Sequence, residues 1–166
     1  MIDHIVELRQ HYRTFPLLID TNLLILLLLG RVDRNQIEKF KRTTKFTIND
    51  YLLLERFIEP FDRVATTPNI LTEVSNLSGQ LNDPLRTRYF RYLIDEIENF
   101  VEIYFPSAEV ARSEIFIPLG LTDASIRMVA EREKILVLTE DLTLYSRLIS
   151  SERDAVNFNH WIEYNS

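Results

Sequence analysis

Residues 17–29 read LLIDTNLLILLLL, a short apolar run, three polar residues and a longer apolar run. A strand that is buried on both faces is typically short and wholly apolar, which residues 16–19 match. After the polar residues 20–22, residues 23–29 are expected to form a buried helix that ends at Gly30. The whole segment is shorter than the ~20 apolar residues of a membrane span, and Asp20 would lie in the hydrocarbon without a partner. We therefore expect a soluble, cytoplasmic protein with no membrane partner.

Further short apolar runs lie at residues 63–66, 101–104, 135–138 and 155–158, and the last of them is expected to be an edge strand. The segments between these runs carry helix-start signals. Thr47 with Asp50 predicts a capping box, Thr67-Pro68 predicts a cap followed by proline at the first helical position, and Asp83-Pro84 repeats that pattern.

Strands that alternate with helices imply right-handed crossovers and a parallel sheet covered on both faces. We predict an α/β fold, namely a three-layer α/β/α sandwich of Rossmann-like type. Its central, mostly parallel sheet is expected to have four to five strands. The chain is predicted to be a single domain over residues 1–166, with a helical insertion at about 31–62.

The composition excludes several kinds of chemistry. The 166 residues include no cysteine, which excludes disulfide scaffolds, thiolate zinc sites, iron–sulfur clusters and cysteine nucleophiles. Only three histidines are present, and His160 lies far in the chain from His4 and His11, so a histidine-rich metal site is not expected. The net charge of −6 argues against electrostatic coating of nucleic acid, although a divalent metal can supply positive charge locally to a nucleic-acid substrate.

In an open parallel sheet, ligands bind beyond the carboxyl ends of the strands, where the strand order reverses. The polar residues expected there are Asp20 and Asn22 after the first strand, Thr139, Glu140 and Asp141 after the fourth, and Glu73 and Asp123 in two helices between them. Asp123 and Asp141 are explained equally well as carboxylates that favour a helix N-terminus. Asp20 is different, because a buried carboxylate is costly without a partner. Several carboxylates without cations indicate a hard, oxygen-ligated ion, Mg²⁺ or Mn²⁺ rather than Zn²⁺.

Four segments together resemble the PIN-domain nucleases: LLIDTN at 17–22, LTEV at 71–74, LTDASI at 121–126 and VLTED at 137–141. The resemblance implies a PIN-like fold and a metal-dependent endoribonuclease. It implies that the catalytic and metal-ligating residues are Asp20, Glu73, Asp123 and Asp141, with Asn22 and Thr139 in support. Glu140 stays an alternative to Asp141, although the Thr-x-Asp spacing favours Asp141. One or two Mg²⁺ or Mn²⁺ ions would activate water and stabilise the phosphate during hydrolysis.

The same resemblance implies partners and leaves alternatives. The substrate would be RNA, and toxin-type members of the family are held by a cognate antitoxin, which could insert a basic side chain into the acidic pocket. A catalytically silent PIN-like module that binds RNA or protein is the alternative function, and the presence of all four carboxylates argues against it. An aspartyl phosphatase ranks last, because Asn22 stands where such enzymes have a second aspartate.

Two other regions suggest contacts. The basic residues between Arg31 and Lys45 suit either RNA phosphates or a solvated face, and the solvated face is favoured because Asp33 and Glu38 are interleaved. The basic and aromatic segment 84–99 suits RNA, with core or dimer packing favoured for its aromatics. Together with the apolar helix at 23–29, it suggests a homodimer. Trp161 and Tyr164 are expected to pack as a terminal anchor.

Overall fold

The computed structural model describes residues 2–165 as an α/β protein with one five-stranded sheet. The strands are β1 (Leu17–Ile19), β2 (Val64–Thr66), β3 (Val101–Glu102), β4 (Leu136–Thr139) and β5 (Ala155–Asn157). The helices are α1 (Ile2–Tyr12), α2 (Thr21–Asp33), α3 (Ile48–Ile58), α4 (Pro68–Ser78), α5 (Leu85–Asn99), α6 (Ser107–Val110), α7 (Phe116–Arg132), α8 (Leu142–Ser150) and α9 (Phe158–Asn165). A short 3-10 turn at Arg34–Gln36 follows α2.

The sheet is entirely parallel and its order is β3-β2-β1-β4-β5. In the centre, Leu18 of β1 lies opposite Ala65 of β2 and Val137 of β4. Every residue of β1 and β4 is buried, which explains why their sequences show no polar alternation. The predicted α/β/α sandwich is confirmed, and β5 is the edge strand that the sequence indicated.

The strand order divides the helices between two faces. The chain steps from β1 to β3 in one direction and from β3 through β4 to β5 in the other. Right-handed crossovers therefore place α2 to α5 on one face and α7 and α8 on the opposite face. The packing agrees, since α2 contacts α3, α4 and α5 while α7 contacts α8 and β4.

The region predicted as a helical insertion, residues 31–62, contains the end of α2, the 3-10 turn and α3. The predicted capping box is present, because Thr47 Oγ1 accepts from the Asp50 N–H and Asp50 Oδ2 accepts from the Thr47 N–H. Phe57 of α3 is fully buried and packs edge-on against Trp161 of α9, so α3 joins the main hydrophobic core.

Two predicted helix boundaries are wrong. Helix α2 does not end at Gly30 but continues to Asp33, because Gly30 lies under the ring of Tyr51 rather than at a helix terminus. A Cβ at Gly30 would lie 2.3 Å from Tyr51 Cδ2, so the glycine permits close packing of α3 on α2. The Thr67-Pro68 cap forms as predicted, but Asp83-Pro84 does not repeat it. Pro84 itself occupies the cap position of α5, and Asp83 accepts from Thr87 one turn later.

Burial also corrects two expectations about contacts. Residues 23–29 are at most 1% exposed, so the apolar segment of α2 belongs to the core and offers no dimer surface. Trp161 is buried as an anchor, whereas Tyr164 is 61% exposed and does not pack with it. Among residues 2–165, no helix combines the length and the apolar character that a membrane span requires.

Candidate active site

The candidate site lies at the carboxyl ends of β1 and β4, the neighbouring strands between which the strand order reverses. Asp20 directly follows β1, and the segment Thr139-Glu140-Asp141 ends β4 and leads into α8. Helices α4 and α7 bring Glu73 and Asp123 to the same end of the strands: Glu73 accepts from Thr21, and the charges of Asp20 and Asp141 act on Asp123.

Asp20 is a buried carboxylate, 6% exposed, that is surrounded by hydrogen-bond donors. Its Oδ1 accepts from the Leu23 N–H at 2.9 Å, which makes Asp20 the N-cap of α2. Its Oδ2 accepts from Thr139 Oγ1 at 2.5 Å and from the Glu140 N–H at 2.9 Å. The pKa of Asp20 is raised to about 6, because the effect of burial outweighs the three hydrogen bonds, which lower it.

Thr139 connects Asp20 to Asp141. Its hydroxyl donates to Asp20 and accepts from the Asp141 N–H at 3.0 Å. Asp141 Oδ1 in turn accepts from the N–H groups of Thr143 and Leu144, so Asp141 is the N-cap of α8. Asp141 is therefore a helix cap, as its position in the sequence suggested. The cap uses Oδ1 only, so Oδ2 of the same carboxylate can still contact a ligand.

Glu73 is exposed on α4 and is held by two threonine hydroxyls from other helices. Thr21 Oγ1 donates to Oε2 at 3.0 Å, and Thr122 Oγ1 donates to Oε1 at 2.7 Å. The turn that carries Thr122 is itself anchored, because Ser125 Oγ donates to the Thr122 carbonyl at 2.6 Å and lies 3.2 Å from Thr67 Oγ1. The starts of α4 and of the second half of α7 are thus tied together beside the cluster.

Asp123 is the one site carboxylate that accepts no hydrogen bond from residues 2–165, so it caps no helix, but it lies in the first turn after a break in α7, as the helix-dipole explanation requires. It follows Gly120, whose φ of 86° breaks α7 and starts a new helical segment just before Asp123. The pKa of Asp123 is raised to about 7, mainly by burial and further by the charges of Asp141, Asp20 and Glu73, in that order. Asp141, Asp20 and Glu73 therefore each lie close enough to Asp123 to repel its charge, although the four residues come from separate parts of the chain.

The donor set suits a hard divalent cation, since it consists of carboxylate oxygens with threonine hydroxyls beside them. Both oxygens of Asp123 and Oδ2 of Asp141 accept no hydrogen bond from the described residues. No three acidic or histidine side chains of residues 2–165 stand close enough together to form a finished ligand shell. Because no three of them do so, more than one of the four side chains would have to move before one ion could contact all four carboxylates.

Asn22 and Glu140 form a second pair beside the cluster. Asn22 Nδ2 donates to Glu140 Oε1 at 2.9 Å, so Asn22 contacts Glu140 rather than any of the four carboxylates. Lys45 Nζ forms an ion pair with the same Glu140 oxygen at 2.5 Å. The charge of Glu140 is thereby balanced, whereas no cation pairs with Asp141 among the described residues, which favours Asp141 as the fourth member of the cluster.

Sequence reasoning missed three residues that contact the site: Thr21, Thr122 and Lys45. Thr21 and Thr122 each adjoin an acidic residue that was singled out, so a hydroxyl next to a candidate ligand was the available signal. Lys45 lies 95 residues from Glu140, and only tertiary structure brings the two side chains together.

Comparisons of this chain with protein-family models, with curated proteins and with solved structures gave no significant match.

Proposed function

We propose that this protein is a metal-dependent endoribonuclease of PIN type that hydrolyses RNA phosphodiester bonds at the cluster of Asp20, Glu73, Asp123 and Asp141. One observation carries the proposal. Asp20, Glu73 and Asp141 all act electrostatically on Asp123 at the sheet edge where α/β proteins bind ligands. Mutual repulsion among carboxylates is a cost to folding, and a bound cation relieves it.

The residues around the cluster have distinct parts in this proposal. Thr139 and the Glu140 N–H hold Asp20, and the cap hydrogen bonds hold Asp141, which supports a role for both carboxylates as ligands of fixed position. Asp123 and Glu73 complete the oxygen set from the helices. A bound Mg²⁺ or Mn²⁺ ion would supply Lewis-acid activation of water and stabilisation of negative charge on the phosphate.

The test is cleavage of single-stranded RNA by the purified protein in Mg²⁺, in Mn²⁺ and in EDTA. We expect cleavage only with metal, and a loss of about a hundredfold or more in Asp123→Asn, since removal of a ligand should exceed the 10–100-fold effect of outer-shell changes. Asp62→Asn is the matched control, because Asp62 is an exposed aspartate before β2, at the amino ends of the strands and away from the cluster. RNA binding without cleavage under every metal would support the silent binding module instead.

The resemblance to toxin-type nucleases adds a partner to the proposal, a cognate antitoxin that inserts a basic side chain into the cluster. Adding that partner should abolish cleavage and displace the metal. Undiminished cleavage in a stable complex would reject this mode of inhibition while leaving the nuclease activity intact.

A further inference from the structure

Lys45, the last residue of the basic segment 31–45, lies beside the candidate site. Its ammonium group lies 2.5 Å from Glu140 Oε1 and 5.2 Å from the centroid of the Phe46 ring, and its side chain is 52% exposed. An ion pair this exposed contributes little to folding stability. Two contacts nevertheless hold the charge in one position at the edge of the candidate site.

Glu140 links this cation directly to the acidic cluster. The Glu140 N–H donates to Asp20 Oδ2, and its carbonyl accepts from Asn159 Nδ2 at 3.1 Å. Its side chain is held independently by Asn22. Lys45 can therefore turn to another anion while the Glu140 carboxylate keeps a hydrogen-bond donor in Asn22.

Open space lies beside the ammonium group. This cleft has a volume of about 340 Å³ and is lined by Lys45, Phe46, Asp50, Asn159, Ile162 and Glu163. Of its two carboxylates, that of Asp50 already accepts from the Thr47 N–H and hydroxyl. The cleft adjoins Glu140, because Lys45 pairs with the Glu140 carboxylate and Asn159 Nδ2 donates to the Glu140 carbonyl. It therefore leaves room for an anion beside the Lys45 ammonium group.

We infer that Lys45 binds a phosphate of single-stranded RNA adjacent to the phosphate at the acidic cluster. This inference rests on the proposed function. A polyanion that approaches four carboxylates needs cationic contacts nearby, and a lysine ammonium is a compact donor for a phosphate oxygen. Such a contact positions the backbone and reads no base, so Lys45 serves RNA of any sequence.

The experiment measures binding of a fluorescently labelled single-stranded RNA by anisotropy, over a series of salt concentrations with Mg²⁺ present. All proteins carry Asp123→Asn so that the RNA stays intact. Lys45→Ala should weaken binding roughly tenfold at low salt, because a charge-assisted hydrogen bond is lost. The slope of log K against log salt should fall by about 0.7, the value for one phosphate contact to a single strand.

Lys134→Ala is the matched control. Lys134 is also an exposed lysine over a phenylalanine ring, with Nζ 4.4 Å from the centroid of Phe15. It precedes β4 and therefore lies at the amino ends of the strands, away from the candidate site. The control should leave both the affinity and the salt slope unchanged. Equal weakening by the two substitutions would overturn the inference, because it would show only an effect of net charge.

A double substitution separates phosphate contact from simple repulsion by Glu140. If Lys45 only neutralises Glu140, then Lys45→Ala with Glu140→Gln restores wild-type affinity, and that result would overturn the inference. If Lys45 contacts phosphate, the double variant stays weak, and Glu140→Gln alone binds RNA at least as tightly as the parent.

Failure of this inference is distinguishable from failure of the proposed function. RNA cleavage by the wild type, with equal RNA binding by the Lys45 and Lys134 variants, rejects the role of Lys45 and retains the nuclease. Binding that depends on Lys45, with no cleavage under any metal, retains the phosphate contact and rejects the nuclease.

Discussion

The acidic cluster has two halves that are held in different ways. The strand half consists of Asp20, Thr139 and Asp141, at the ends of β1 and β4. Its carboxylates accept from three backbone N–H groups of the adjoining helix starts, from the Glu140 N–H and from the buried Thr139 hydroxyl. The helix half consists of Glu73 and Asp123, which accept two hydroxyl hydrogen bonds in total, both on Glu73.

The difference shows how one protein keeps several carboxylates together. The backbone N–H groups at strand ends and helix N-termini have fixed positions, so they stabilise a buried charge at one place. Side-chain hydroxyls on helices hold a charge more loosely and leave Asp123 without a donor. The carboxylates of the strand half therefore have fixed positions. In the helix half, Asp123 is repelled by the neighbouring carboxylates, and a cation can reduce that repulsion.

The largest stability effect is expected from the buried hydroxyl of the strand half. Thr139→Val keeps the side-chain shape but removes the donor to Asp20 and the acceptor of the Asp141 N–H. A lost hydrogen bond to a buried charged group should lower the free energy of unfolding by about 2–3 kcal/mol. Chemical denaturation at pH 8, where Asp20 is ionised, measures this loss. A change below that of an ordinary surface substitution would mean that the strand half is not rigidly held.

Metal binding should produce a stabilisation of similar size that depends on the helix half. At a Mg²⁺ or Mn²⁺ concentration 100 times the dissociation constant, the free energy of unfolding should rise by about 2.7 kcal/mol. Thermal unfolding with and without metal measures it, and Asp123→Asn should remove most of the rise while Asp62→Asn retains it. The same metal-induced rise in all three proteins would place the ion outside the cluster.

Asp123→Asn should stabilise the metal-free protein, and the gain should depend on pH. The pKa of Asp123 is raised to about 7 in the folded state, above the usual aspartate value, so the folded state binds more protons than the unfolded state between these values. The stability of the metal-free wild type therefore falls as pH rises from about 4 to about 7.

At pH 8, removing the charge of Asp123 should add about 1–2 kcal/mol after allowance for screening by solvent. At pH 4 the gain should vanish, because the carboxyl group is then protonated in the folded protein. Denaturation curves of both proteins in EDTA at the two pH values test this. Equal stability at pH 8 would show that neither burial nor the neighbouring charges disfavour the ionised form of Asp123.

The smallest effect is expected from the hydroxyl of the helix half. Thr122→Val is the counterpart of Thr139→Val, because both threonines donate to a site carboxylate. The Thr122 bond to Glu73 is exposed to solvent, so water replaces it and the loss should stay within about 0.5 kcal/mol. Comparing the two threonine variants by the same denaturation assay isolates the effect of burial. Equal losses would remove the distinction between the two halves.

Much of the fold was predictable from local patterns. The short apolar strands, the caps at Thr47 and Thr67 and the polar residues after β1 and β4 depend on neighbours in sequence, and the structure has them where they were expected. The boundary at Gly30 was missed because a glycine in a sequence can either end a helix or permit close packing inside one, and here Gly30 makes room for the Tyr51 ring. The homodimer surface on residues 23–29 was wrong for a related reason, since α3, α4 and α5 cover α2.

The candidate site divides along the same line. The sequence alone determined which acidic residues follow strands, because strand ends are marked by the change from apolar to polar residues. Only the tertiary structure decided that Asn22 bonds to Glu140, that Glu73 is held by Thr21 and Thr122, and that Lys45 reaches the site. Each of these contacts joins segments far apart in the chain, and its geometry depends on how whole helices pack on the sheet. The local sequence determines the secondary structure and the chemical groups of a residue, and tertiary packing determines which distant side chain those groups contact.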